Sequence, residues 1–276
     1  MMNNKKVHSK YIKLVILSIL AILYLFPLFL VLINSFKSLS EIFLNPISWP
    51  KNFSLQNYIK TFTIMKYPIA FMNSMIITIA SVCVICFFSA MTGHFFLRNK
   101  WKITAAIVDL MIAYMIIPFQ AIMIPLVKIY GSFGLLNSRW LLIYLYLGFG
   151  TPLAVFMYHG FIKSIPLELE EMATIDGCSR LQNFFLIVFP LLKPITVTIL
   201  VLDVLWIWND YLLPYLILKS PGQRTLPLAT YAFYGTHTAD YGLLLSGLVM
   251  TVIPILILYV FVQKHVITGI VQGAIK

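Results

Sequence analysis

Six apolar runs, each long enough to cross a lipid bilayer, fill most of this 276-residue chain. They cover roughly residues 12–34, 69–96, 104–128, 140–161, 194–218 and 241–262. A bilayer core takes about 20 apolar residues of helix. Within it every backbone N–H and C=O has to be satisfied by the chain itself, so a run of this kind is committed to helix. Only 11% of residues are charged, against about a quarter in soluble domains. The expected class is all-α, a polytopic membrane protein of six transmembrane helices with no large soluble module.

Details of the runs refine this. Lys5, Lys6, Lys10 and Lys13 precede the first run, which exceeds the roughly 7–15 residues of a signal-peptide core and ends in NSFKS, without a small-residue cleavage site. An uncleaved first span is expected, with residues 1–11 as a short tail. Pro27, Pro118, Pro125, Pro152, Pro214 and Pro254 fall in or at the ends of spans. Bundled helices re-satisfy the freed carbonyls, so these prolines predict kinks and not breaks.

The net charge of +11 sits in short gaps between the apolar runs, which is the pattern of membrane orientation and not of nucleic-acid binding. The short gap holding Arg98, Lys100 and Lys102 is basic where the gap at YGSFG is not. That bias places both termini, and the loop after the fourth run, in the cytoplasm. The segment from about 35 to 67 then lies outside, rich in Pro, Ser, Asn and aromatics. Cys83 and Cys86 have CxxC spacing inside an apolar run, with no second pair, and read as packing thiols. The five histidines are scattered, and neither a Ser-His-Asp arrangement nor a paired-carboxylate site is apparent.

One polar stretch stands apart. Residues 166–190 hold Glu168, Glu170, Glu171 and Asp176, four of the nine acids in the chain. Pro166 suits a helix start, and carboxylates are favoured near a helix N-terminus. Leu169, Met172 and Ala173 share a face by their spacing. Gly177 supplies a left-handed stop. Ser179 and Gln182 form an S-x-x-Q capping box for a second helix, with Leu181, Phe184, Phe185 and Val188 on its apolar face. The pattern predicts a rigid helix pair with one sticky side. A resting place on anionic headgroups fits poorly with so many carboxylates.

Glu171-Met172-Ala173, Gly177, Ile187 and Pro190 resemble the EAA loop of ATP-binding-cassette importer permeases, E-A-A-x3-G-x9-I-x-L-P, with Met172 and Phe189 as departures that stay apolar. Trp208-Asn209-Asp210-Tyr211 with Pro214 is similar to the W-N-[ED]-F-x-x-P segment of the maltose-type sugar permeases. Arg224-Thr225-Leu226-Pro227-Leu228 and the ending from Gln263 to Lys276 resemble the same branch, and Asn73-Ser74 also fits.

This resemblance implies a type I importer permease fold: six spans over residues 12–262, a cytoplasmic coupling helix pair in a loop at 163–193, and a cytoplasmic tail at 263–276. It implies a homologous permease subunit, a cytoplasmic ATPase dimer, an extracytoplasmic solute-binding protein and surrounding lipid as partners. The sequence has no G-x-x-x-x-G-K-[ST], so it offers no phosphate cradle of its own. No cofactor is expected on this chain, ATP and Mg being used by the ATPases. The expected role is a pore subunit in the cell membrane and not an enzyme.

By the same resemblance Glu171 is expected to pair with a basic residue of the ATPase. Gly177 sets the docking angle, Met172, Ala173 and Ile175 are buried contacts, and Asp176 and Arg180 flank them. Gly269 and Gly273 are expected where the tail reaches the ATPases. For the translocation pathway the expected residues are Asn209, Asp210, Trp206, Tyr211 and Asn73, with Trp206 and Asp210 on one helical face. Asp109 and Asp203 are ionisable groups inside spans, where such groups usually face a partner or cavity. Asp109 has Lys102 and Arg98 as candidate partners. Competing readings are a permease for peptides, amino acids or polyamines, an ion-coupled secondary transporter and, least supported, a membrane enzyme. Uptake assays decide the first, and co-purification of an ATPase the second.

Overall fold

The computed structural model describes residues 2–99, 101–234 and 240–274, with side chains described for 10–99, 101–231, 233–234, 240–261 and 263. Its regular elements are all helical. In order they are α1 (Met2–Asn34), α2 (Leu39–Leu44), α3 (Gln56–Ile64), α4 (Tyr67–Arg98), α5 (Lys102–Tyr114), α6 (Phe119–Ser132), α7 (Arg139–Ile162), α8 (Leu167–Ile175), α9 (Arg180–Asn183), α10 (Phe189–Leu191), α11 (Lys193–Asn209), α12 (Leu212–Ile217), α13 (Leu226–Thr230) and α14 (Tyr241–Ala274).

Four helices have the length and composition to cross a membrane: Lys10–Asn34, Tyr67–Arg98, Arg139–Ile162 and Tyr241–Phe261. Two further pairs qualify when each is taken as one bent span. They are α5 with α6, bent by 103°, and Arg180–Leu191 with α11, bent by 74°. The fold is therefore an all-α polytopic one, with four unbroken spans and up to six in total among the described residues.

The expectation of kinks in place of breaks holds at Pro27, Pro125, Pro152 and Pro254, each inside a continuous helix. It fails at Pro118. There α5 closes in tight i→i−3 bonds from Met115, Ile116 and Ile117. Pro118 then stands in extended backbone as the N-cap of α6, because proline disfavours the helical region for the residue before it and brings no N–H to continue the ladder. The run 194–218 is also interrupted. Asp210 leaves the helix, and its Oδ1 accepts the Leu212 N–H at 3.0 Å, starting α12 afresh.

The chain divides into two compact units. One comprises Met1–Tyr67 and Thr230–Ile253. Its interior is held by small hydroxyls and amides. Thr61 Oγ1 and Ser246 Oγ are 2.7 Å apart, Thr230 and Thr251 share a 2.9 Å bond, and Asn57 Nδ2 donates to the Ser35 and Lys37 carbonyls. Lys37 is buried and its Nζ donates to the carbonyls of Asn45 and Pro46 at 3.1 and 3.3 Å. The lysine therefore stitches its own loop and presents no charge to lipid headgroups.

The other unit comprises Pro68–Ala229 and Pro254–Lys276. Its core lies among α4, α7 and α11, where Ile77, Ile85, Ala90, Leu142, Tyr146, Val155, Tyr158, Ile199 and Ile207 are buried. Small residues set the approach of α4 to α7, as expected where lipid offers no hydrophobic drive between helices. A Cβ on Gly93 would lie 3.0 Å from the Tyr158 Cβ, and one on Gly150 only 2.7 Å from Ile85 Cδ1. Asn73 is buried near one end of α4 and ties the loop before α13. Its Nδ2 donates to the carbonyls of Gly222 and Arg224, both at 3.0 Å, while its Oδ1 accepts from Arg139 at 2.8 Å.

Candidate functional site

Two places in the second unit set residues expected for coupling or for the pathway beside open space. The first is the loop after α7. Helix α8 ends where Cys178 N–H reaches back to the Ala173 carbonyl at 2.9 Å, and Gly177 sits at φ +89. That backbone is strained for any residue with a Cβ. Ser179 and Gln182 then close a reciprocal capping box at the start of α9.

Beyond α9 the chain is less regular than the spacing suggests. After four residues the helix widens into a π-helical turn over Phe184–Val188, in which Phe189 N–H bonds the Phe184 carbonyl. The prolines at 190 and 194 remove donors that an ordinary ladder would need, and the chain accommodates this with the wide turn and the 74° bend into α11. Phe184 and Val188 pack inward, whereas Leu181 stays exposed.

The four acids of this loop do not form one surface. Glu168, Glu171 and Asp176 are exposed, but Glu170 is only 7% exposed. Its Oε1 accepts from Arg98 Nε at 2.9 Å and Nη2 at 2.6 Å, and its Oε2 lies 2.9 Å from His94 Nε2. Arg98 Nη2 also reaches the Ile165 carbonyl at 3.3 Å. Asn183 Nδ2 donates to the Glu170 carbonyl at 2.8 Å, joining α9 to α8. The faces of α8 are thereby assigned. Met172 and Ile175, 54% and 84% exposed, are open to solvent together with Glu171. A cleft of about 810 Å³ opens between the end of α4 and the α8–α9 pair.

The second place is a cavity of about 460 Å³ beside the break in the third apolar run, lined by Tyr114, Phe119, Gln120, Phe149, Trp206 and Asp210 among others. Tyr146 donates its phenolic hydrogen to Asp210 Oδ2 at 2.8 Å, and its ring meets Trp206 edge-on. An aromatic wall beside a carboxylate and an amide is a combination suited to a polyhydroxylated ligand, whose ring stacks and whose hydroxyls donate and accept.

A family model described as binding-protein-dependent transport system inner membrane component matches residues 84–271, which contain both places. The chain belongs to that family. Members are the membrane-embedded pore subunits of transport systems and are not enzymes, so this permease is a non-catalytic part of an importer. It is 42% identical over 273 residues, 99% of each chain, to a probable starch degradation products transport system permease protein, AmyC, of Thermoanaerobacterium thermosulfurigenes. It is 38% identical to the multiple sugar-binding transport system permease protein MsmG of Streptococcus mutans, over 96% of each chain. With the melibiose/raffinose/stachyose import permease protein MelC of Bacillus subtilis it shares 34% over 94% of each. The fold matches a solved bacterial ABC transporter involved in import of the acidic polysaccharide alginate, with a TM-score of 0.78, 21% identity, and coverage of 92% of this chain and 94% of that one.

Of the residues expected in the permease's loop, Glu171, Met172, Ile175, Asp176 and Arg180 lie on its exposed side, with Gly177 at the turn. Ala173 does not. It is 7% exposed and packs within its own chain. Gly269 and Gly273 belong to the tail, whose side-chain surroundings lie outside the described residues.

Of the pathway residues, Trp206 and Asp210 meet at the cavity, as their helical spacing requires, and Gln120 joins them. Asn209 is exposed and bonds its own helix through the Leu205 carbonyl. Tyr211 stacks on Tyr215 at 5.4 Å. Neither lines the cavity. Asn73 lies apart from the cavity: both of its amide hydrogens go to carbonyls of the loop before α13 and its Oδ1 accepts from Arg139. Asp109 is exposed and does not pair with Arg98, which Glu170 occupies. Asp203 is buried at 4% exposure, with Oδ2 lacking a partner among the described residues.

Three groups that these two places bring into contact are not apparent from the residue pattern: Glu170, Arg98 and Tyr146. A signal exists for the first two. Glu170 shares a helical face with Ala173 and Thr174, whereas Glu171 shares one with Ile175. His94 and Arg98 are one turn apart at the end of a span. For Tyr146 there is none, since nothing separates it from the other aromatics of its run.

Proposed function

We propose that this permease forms the translocation pathway of an ATP-driven importer for a sugar or oligosaccharide, together with a homologous partner permease, and is driven by two cytoplasmic ATPases through the α8–α9 loop. Six spans, with the two bent pairs counted, put both termini and the loop in the cytoplasm. Residues 12–262 are the transmembrane domain, flanked by tails at 1–11 and 263–276. An external solute-binding protein delivers the cargo, and ATP and Mg are used by the ATPases alone.

The observation that carries the reading is the outward set on a doubly capped loop. Glu171, Met172 and Ile175 are presented to solvent by a helix fixed on its other side. Large exposed apolar groups in a polar loop mark a docking surface. An exposed ion pair contributes only about 0–1 kcal/mol, so the apolar groups supply most of the affinity and Glu171 the register, with Asp176 and Arg180 at the edge. The three relatives are all named for saccharides, which supports the cargo class. Trp206, Asp210 and Gln120 are the residues proposed to meet it.

The test is purification of the complex in mild detergent with and without Glu171→Lys, followed by uptake of labelled maltotriose into vesicles. The variant is expected to reach the membrane normally, lose its ATPase and import nothing. Full import with normal ATPase recovery would refute the docking role. Import driven by an ion gradient without any ATPase would support a secondary transporter instead.

A further inference from the structure

The loop is joined in sequence to α7 and α11, and a lever built only from those connections would move those two spans. The side chains describe a third attachment, to α4, which lies far from the loop in the chain. Arg98, the last residue of α4, forks both Nε and Nη2 onto one oxygen of Glu170, while His94, one turn earlier, meets the other oxygen. The same arginine holds the Ile165 carbonyl just before α8. Two ring contacts continue the seam into the π-helical turn: His94 with Phe184 at 5.3 Å, and Phe87 stacked on Phe185 at 6.0 Å. Glu170 and Arg98 are mostly buried, so water screens the pair little. A charge-assisted fork of this kind fixes direction as well as distance.

We propose that Glu170, Arg98 and His94 form the link that passes movement of the loop into α4, making α4 a driven span. Glu170 is the positioning residue on the loop, and Arg98 receives the motion at the end of the span. This rests on the coupling role proposed above for the loop. In this arrangement neighbouring acids of α8 divide the work: Glu171 faces the ATPase and Glu170 faces the bundle.

The test uses the whole complex in nanodiscs, with native cysteines replaced by serine and spin labels on Leu23→Cys in α1 and Ile79→Cys in α4, both exposed positions. The distance between labels is read without nucleotide and after trapping with ATP and vanadate. The unmodified link is expected to give a nucleotide-dependent shift. Glu170→Gln, which keeps size and an acceptor, and Arg98→Gln are expected to keep the nucleotide-free distance and the bound ATPase while losing the shift. Arg98→Lys is expected to recover part of it.

An undiminished shift in Glu170→Gln or Arg98→Gln overturns the proposal. So does an altered nucleotide-free distance, because the cluster would then be a staple of the resting fold and not a transmission link. Glu171→Lys separates the two ideas. If it retains both its ATPase and the shift, the loop reading itself fails. If it loses both while Arg98→Gln shifts normally, only the link to α4 fails.

Discussion

Glu170 in the loop and Asp210 at the cavity are both carboxylates withdrawn from bulk water, yet their surroundings differ in kind. Glu170 has an arginine and a histidine on its two oxygens and a helix turn closed around it. Asp210 has a neutral phenol on Oδ2 and the Leu212 N–H on Oδ1, with open volume alongside. These surroundings set what each carboxylate can do. Opposite charges lock the loop as a rigid piece, whereas neutral donors leave Asp210 with acceptor capacity for a hydroxyl that arrives and leaves.

The largest effect is expected at the turn that aims the loop. Gly177→Val puts a β-branched side chain at φ +89, a backbone that costs ordinary L-residues about 1–2 kcal/mol and β-branched ones more. The rigid pair should lose its angle, with membrane level preserved and maltotriose uptake at background. Next, Glu170→Ala leaves Arg98 inside without its counter-charge. Removing one partner of a fully buried pair costs about 3–5 kcal/mol, and with the Arg98 side chain still 21% exposed the cost is smaller, to be read as a modest fall in the thermal midpoint of the detergent-purified complex.

Asp210→Asn should do the opposite. It should leave the thermal midpoint nearly unchanged while uptake falls on the order of tenfold, because hydrogen bonds to charged groups contribute about 1.5–3 kcal/mol. If Asp210→Asn destabilises as strongly as Glu170→Ala, the contrast between lock and cavity is wrong. Tyr146→Phe sharpens it further. Removing the phenol should cost about 1 kcal/mol of stability and weaken uptake several-fold less than Asp210→Asn. The smallest effect is expected for Leu23→Ala on the exposed length of α1. It should fall within about 0.5 kcal/mol, as surface changes usually do.

Much of this is legible in the residues. Length and apolarity alone require helices across a bilayer. Gly177, Ser179 and Gln182 announce the loop's turn and cap because those signals are local, each satisfied by atoms within a few residues. The 3.6-residue period places Trp206 and Asp210 together for the same reason. The breaks at Pro118 and Asp210 are not legible, since a proline in a span bends or breaks the helix according to what neighbouring elements offer its freed carbonyls. Nor can the four acids of the loop be sorted. Glu170 and Glu171 are identical side chains on adjacent residues, and only the position of α4 makes one an internal anchor and the other a free surface group. Asn73 shows the same limit, its residue type visible in the sequence but its partners loop carbonyls some 150 residues further on. Sequence determines what is local in the chain. The partners of buried polar groups are distant in the chain, and packing alone selects them.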